Sequence, residues 1–154
     1  MSEPLDSPVL RMERTFDAPV DRVFRAWSDP GELARWAWGS IGKDVRADVD
    51  LRIGGSYRIT TATTGQAPLA FEGTYEDVVP ERRLVYSLHW DAPMGYDAPD
   101  ERVTVEFVGR GEQTEVTFVH EGVPEGIARD THEKGWVDTF DTLAQHLRDR
   151  GSMA

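Results

Sequence analysis

The sequence predicts an α+β fold in which a curved antiparallel sheet of about seven strands, two short helices and a long C-terminal helix surround a cavity. Two observations support this fold. Between residues 44 and 121, short segments of alternating apolar and polar residues are separated by turn motifs, which is typical of strands with one buried face. After residue 130, apolar residues recur at helical spacing, which predicts a helix that covers that face.

The first elements along the chain are a strand and a short helix. Residues 9–16 partly alternate between apolar and polar side chains, which predicts the strand. Pro19 then stands where a proline opens a helix, and residues 20–27 carry apolar side chains at helical spacing. We therefore place the first helix directly after the strand.

A second short helix is predicted to begin beside Asp29. This residue is a suitable N-cap, Pro30 fits the first helical position, and Glu32 lies three residues after the cap, as in a capping box. The helix is expected to run through Trp36 and to end before Gly39.

Six further strands are predicted from alternation and turn residues. They cover residues 44–51, 57–63, 71–79, 83–90, 102–108 and 113–121. Leu84, Tyr86 and Leu88 alternate with polar neighbours, and later strands repeat the pattern. One face of the sheet is therefore apolar and needs a cover.

The last segment is predicted to supply that cover as a helix of roughly 18–20 residues. Asp130 is the expected cap, with Glu133 three residues later. Gly135 is unfavourable inside a helix, so we expect it to mark a close approach to another element. The apolar stripe of the helix consists of His132, Trp136, Phe140, Leu143 and Leu147.

A set of short motifs accompanies these elements in a fixed order. The motifs are Phe16-Asp17-Ala18-Pro19, Val23-Phe24-Arg25-Ala26-Trp27, Asp29-Pro30, Leu33-Ala34-Arg35-Trp36, Gly54-Gly55-Ser56-Tyr57, Pro80-Glu81-Arg82-Arg83-Leu84, His120-Glu121-Gly122 and Gly135-Trp136. Together with the order of the elements, they resemble the START-like helix-grip superfamily (SRPBCC), in the branch named after the activator of the heat-shock-protein-90 ATPase. The resemblance covers about residues 8–148, and it implies a hydrophobic cavity used for ligand binding, transport or cyclase-like chemistry, and also a homodimer.

Composition narrows the possible functions. The 154 residues fit one domain, placed at residues 8–150, and contain no cysteine, which excludes disulfides and thiolate chemistry. The N-terminal residues lack the basic and apolar regions of a signal peptide, and no run is apolar enough to span a membrane, so a cytoplasmic location is expected. The net charge of −11 disfavours nucleic acid and anionic membranes as partners.

Aromatic residues are the main candidates for a ligand site. Tryptophan and tyrosine have polar tips that a ligand site uses well, and the chain holds five tryptophans and four tyrosines. A large-residue core is the alternative for any one of them. The candidates between sheet and helix are Trp27, Trp36, Trp38, Tyr57, Tyr86, Trp90, Phe107, Phe118, Trp136 and Phe140. The loop at residues 91–99 is a candidate lid or, equally, a plain hairpin tip.

Two histidines complete the candidate site. His120 lies on the apolar face of the last strand and His132 begins the helix stripe, so both are expected at one end of the cavity. They form either a polar pair that contacts ligand or local partners for backbone groups. His146 is expected on the helix surface. No metal site is expected, because Trp136 occupies the second histidine position of an HExxH motif, and no cofactor is expected.

Three functions remain. The first is a binding protein for a small hydrophobic molecule, and the second is a cyclase, dehydratase or hydrolase that uses the two histidines as acid and base. The third is a module that interacts with a chaperone. A cavity of roughly 300 Å³ or more favours the first two, whereas a filled core with a large exposed apolar patch favours the third.

We predict that the protein does not bind nucleic acid, because its excess of carboxylates repels the phosphate backbone. In a band-shift assay at low salt, micromolar protein should not retard DNA or RNA. Tight binding that weakens as salt is added would show that the charge argument is wrong.

Overall fold

The computed structural model describes residues 9–39, 42–62, 69–90, 101–122 and 127–152. The expected lid at residues 91–99 lies outside them. The elements, in chain order, are β1 (Val9–Phe16), α1 (Val20–Ser28), α2 (Pro30–Trp36), β2 (Arg46–Val49), β3 (Ser56–Thr61), β4 (Leu69–Val79), β5 (Arg83–Trp90), β6 (Glu101–Arg110), β7 (Gln113–Glu121) and α3 (Ile127–Ser152).

The strands of the described residues form one seven-stranded sheet in the order β1-β7-β6-β5-β4-β3-β2. All neighbouring strands are antiparallel. The first strand therefore pairs with the last one, whereas every other pair is consecutive in the sequence. With two short helices and the long α3, this arrangement confirms the α+β helix-grip fold.

The two short helices begin close to the residues at which the sequence predicts their starts. The Asp29 side chain accepts a hydrogen bond from the backbone N–H of Glu32 at 3.0 Å, and Pro30 occupies the first turn of α2. Pro19 is the N-cap of α1 rather than its first helical residue. Since one extended residue separates the helices, α1 and α2 meet at an angle fixed by this cap.

Helix α3 covers the apolar face at the β1 and β7 side of the sheet. Its residues Trp136, Phe140, Leu143 and Leu147 are buried, as their spacing predicts. The Phe140 ring has edge contacts with aromatic rings of three other elements. These rings are Phe16 in β1, Trp27 in α1 and Phe118 in β7.

Two details of α3 differ from the sequence prediction. The helix begins at Ile127, so Asp130 lies inside it and is not its cap. The residues before Asp130, Ala128 and Arg129, are strong helix formers and extend the helix toward the N-terminus. The close approach expected at Gly135 is wrong: Gly135 is exposed, and no described atom lies within 4 Å of the position of an added Cβ.

A buried polar cluster joins the three helices. In α2, Glu32 Oε1 accepts hydrogen bonds from Arg22 Nη1 of α1 at 2.7 Å and from His146 Nε2 of α3 at 2.8 Å. His146 is only 9% exposed, so its expected surface position is wrong. His146 lies three residues after the buried Leu143, on the flank of the apolar stripe. Its partner, Glu32, is remote in the sequence, so local spacing does not predict the contact.

The charge of Glu32 depends on this cluster. Burial alone would raise the pKa of its carboxyl, but the hydrogen bonds from His146 and Arg22 outweigh burial and hold the pKa below the ordinary value. The carboxylate therefore remains ionised, although its side chain is only 10% exposed. This favours an intact cluster at neutral pH.

We predict that Gly135→Ala stabilises the protein by about 0.5–1 kcal/mol, because alanine loses less backbone freedom in a helix and meets no described atom there. Urea unfolding would measure the change. The matched control is Gly111→Ala, which should destabilise the protein because Gly111 has a φ of +68°. A destabilised Gly135→Ala variant would contradict the prediction.

We predict that Glu32→Gln lowers the free energy of unfolding at pH 7 by about 1–3 kcal/mol, since it weakens two charge-assisted hydrogen bonds. Because the pKa of Glu32 is lowered by folding, its contribution is complete above pH 4.5 and is lost as the pH falls through the lower folded pKa. Denaturant unfolding at several pH values should therefore show the two proteins converging in acid.

The control for this experiment is Glu13→Gln, which removes the charge from an exposed ion pair with Arg11. Such surface pairs contribute little, so this variant should unfold like the wild type. An equal loss in both variants would show that the effect of Glu32 is not specific to the buried cluster.

Candidate functional site

An apolar pocket lies between the sheet and the helices. Helices α1, α2 and α3 form one wall, and strands β3, β4 and β5 form the other. Almost all of its lining surface is carbon, and six of the ten lining residues are aromatic rings of Trp or Tyr. The lining residues are Trp27, Leu33, Trp36, Ala37, Tyr57, Ile59, Phe71, Tyr75, Tyr86 and Trp136.

The sheet wall depends on a glycine in β4. Gly73 stands opposite Tyr57 in the β3–β4 pairing, and an added Cβ at Gly73 would lie 1.9 Å from the backbone oxygen of Ser87. The Tyr57 hydroxyl donates a hydrogen bond to that same oxygen at 2.7 Å. The missing side chain at Gly73 thus lets Tyr57 extend across β4 to β5, where its ring forms the floor of the pocket.

The pocket is narrow. Its open volume is about 30 Å³, room for one or two water molecules. A cavity of roughly 300 Å³ is therefore not confirmed by the described residues. The physical reason is the bulk of the aromatic rings themselves: Trp27 and Trp36 meet edge to face with centroids 4.9 Å apart, and Tyr57 and Tyr86 do so at 5.3 Å.

The predicted site residues separate into groups. Trp27, Trp36, Tyr57, Tyr86 and Trp136 line the pocket. The other described aromatic candidates and His120 are buried around it without lining it. The side chains of two candidates, Trp90 and His132, lie outside the described residues, and so does the expected pairing of the two histidines. The surrounding group is Trp38, Phe107, Phe118, Phe140 and His120.

Burial affects the hydroxyl groups of two tyrosines that line the pocket. Burial raises the pKa of Tyr75 and of Tyr86 well above the ordinary range, so both phenols keep their protons. For Tyr86, the neighbouring Trp27 indole partly opposes this shift. The hydroxyl of Tyr75, by contrast, makes no hydrogen bond to the described part of the chain. It is an available donor at an apolar site.

A chain of buried polar groups lies behind Trp136. The Trp136 indole N–H donates to His120 Nδ1 at 3.0 Å, and His120 Nε2 lies 2.6 Å from Glu101 Oε1. His120 is 0% exposed and Glu101 3%. Because Nδ1 accepts a hydrogen bond, the proton of a neutral imidazole sits on Nε2 and is donated to the carboxylate.

This arrangement limits the chemistry of His120. Both ring nitrogens have partners, so the imidazole is not presented to the pocket as a free base. The partners instead fix its tautomer and its orientation. Within the described residues, no group of three or more histidine, aspartate or glutamate side chains could hold a metal ion.

Sequence reasoning missed six of these residues: Leu33 of α2, its C-cap Ala37, and four strand residues for which the alternation contained a signal. Ile59 is in phase with Tyr57 on β3, and Phe71 and Tyr75 are in phase with each other on β4. Glu101 is in phase with the buried Val103 of β6. A charged residue at the start of an apolar alternation is usually taken as the end of the strand, which is why Glu101 was not predicted.

The described helices include none that is long and apolar enough to cross a membrane. No curated protein is significantly similar in sequence to the chain. Many solved structures, however, share its fold.

Three of these structures illustrate the similarity. Protein CV1439 from Chromobacterium violaceum is 29% identical, with a TM-score of 0.76 over 90% of this chain and 96% of that chain. Mll3558 from Rhizobium loti is 25% identical, with a TM-score of 0.76 over 92% and 97%. CalU16 from Micromonospora echinospora is 25% identical, with a TM-score of 0.67 over 92% and 76%.

The sequence model of one family matches residues 17–148, a range that extends from the residue after β1 into α3 and includes every residue of the pocket. The description of that family is "Activator of Hsp90 ATPase homolog 1-like protein". Sequence match and helix-grip fold agree, and the chain belongs to this family.

Proposed function

We propose that the protein binds a small hydrophobic molecule in the aromatic pocket between the sheet and α3. The observation that carries the proposal is the apolar pocket itself, in which six of the ten lining residues are Trp or Tyr and one, Tyr75, has a hydroxyl that makes no hydrogen bond to the described residues. A ligand oxygen that accepts a hydrogen bond from this hydroxyl would contribute to the affinity. Apolar walls with a few polar groups are typical of small-molecule sites.

Binding requires the pocket to widen, since its open volume is about 30 Å³. Leu33 and Trp36 of the helical wall belong to α2, a helix of only seven residues, and Ala37 is its C-cap. Short helices gain little stability from their own hydrogen bonds, so the cost of shifting this wall lies mainly in the contacts of α2 with α1 and α3, including the bonds of Glu32 to Arg22 and His146. The ligand would thus select a more open arrangement of the same residues.

The other two functions have less support. Enzymatic acid–base chemistry needs a histidine that can exchange a proton with a substrate, and in this structure His120 Nε2 is engaged by the buried Glu101 and Nδ1 by Trp136. Interaction with a chaperone is suggested by the name of the family alone. Ligand binding is the function for which specific atoms of this chain provide a reason.

We predict that Tyr75→Phe weakens binding of an apolar ligand that carries a hydrogen-bond acceptor. The probes are 2-acetylnaphthalene, which has a carbonyl oxygen, and 2-ethylnaphthalene, which has none. Loss of one hydrogen bond should lower the affinity for the ketone about fivefold to tenfold and leave the hydrocarbon unaffected. Isothermal titration calorimetry would measure both dissociation constants.

The matched control is Tyr57→Phe. Its hydroxyl already donates to Ser87, so this variant should lose stability without changing the preference between the two probes. If the wild type binds neither probe, and native mass spectrometry finds no apolar molecule retained during purification, the proposed function is wrong.

A further inference from the structure

We infer that His120 is a concealed hydrogen-bond acceptor for the ligand, reached when the ligand displaces the indole of Trp136. This inference rests on the proposed function and specifies its ligand class. The ligand would be an apolar ring system with one hydrogen-bond donor, such as a hydroxyl or an N–H group. The donor would take the place of the Trp136 N–H at His120 Nδ1.

Trp136 lies between the pocket and His120. Its ring lines the pocket, while its N–H group bonds to His120 at 3.0 Å. The same indole therefore separates the pocket from the imidazole. A ligand that moved this side chain would gain the space of an indole and would also reach Nδ1.

Glu101 fixes the tautomer of His120. Its Nε2 lies 2.6 Å from a Glu101 oxygen, and both residues are buried. As the carboxylate holds the proton on Nε2, Nδ1 stays an acceptor after the indole leaves. A ligand with only acceptor atoms, or with none, could not satisfy it.

The buried acceptor makes the site selective for ligands that carry a hydrogen-bond donor. An acceptor that is buried and loses its donor destabilises the complex unless the ligand supplies another donor. A site of this kind rejects an analogue without the donor more strongly than it distinguishes apolar shapes. We expect a preference of about tenfold for the ligand with a hydroxyl.

The experiment compares 2-naphthol with 2-methylnaphthalene, which has a methyl group in place of the hydroxyl. Titrations followed by NMR would monitor the Trp136 indole N–H signal of the wild type, assigned by its absence in Trp136→Phe. We expect 2-naphthol to bind about tenfold more tightly and to shift this signal upfield as the bond to His120 breaks.

Two variants complete the design. Trp136→Phe keeps an aromatic ring but has no N–H to displace, so its preference for 2-naphthol should increase. His120→Phe removes the acceptor and should abolish the preference. If His120→Phe does not fold, the wild-type signal and the Trp136→Phe variant still decide the question.

The outcomes separate the inference from the function on which it rests. Equal binding of the two probes, or binding of 2-naphthol with an unchanged Trp136 signal, would overturn the role of His120 and leave the proposed function intact. Failure of both probes to bind would overturn the role of His120, and the proposed function would also be wrong if the acetyl and ethyl probes fail and native mass spectrometry finds no retained apolar molecule.

Discussion

A single helix is too narrow to cover the apolar face of a seven-stranded sheet, and this constraint shapes the rest of the structure. Seven strands at 4.7–4.9 Å spacing measure roughly 30 Å across, whereas a helix with its side chains is about 10–12 Å wide. Helix α3 lies against β1 and β7, and the short α2 packs near β2. Aromatic side chains must fill the strip between them over β3, β4 and β5, and the pocket lies within that strip.

Buried polar contacts fix where the helices lie on this apolar surface. Hydrophobic contact is non-directional, so by itself it allows a helix to slide. The hydrogen bond from His146 to Glu32 ties α3 to α2, and the bond from Trp136 to His120 ties α3 to β7. Each bond restricts the distance and angle between the elements that it joins, and together they limit how far the long helix can slide or rotate.

Most of the fold could be predicted from the sequence, because strands, turns and helix caps depend mainly on residues that are close together in the chain. Asp29 caps α2 as predicted, and β1, β5 and β7 have the predicted bounds. The candidate site was harder to predict. The partners of His146 and His120 are decided by packing between distant segments, and the width of the pocket depends on the angles between rings, which no periodicity encodes.

The pairing of β1 with β7 has a consequence for synthesis of the chain. Val9 lies opposite Glu121, so the first strand has no partner in the sheet until nearly all of the described residues have left the ribosome. Its apolar face is covered only after β7 and then α3, the last two elements of the chain, have been made. Such long-range pairing slows folding and leaves strand edges exposed in the meantime. Until β7 is made, both edges of β1 can pair with another chain.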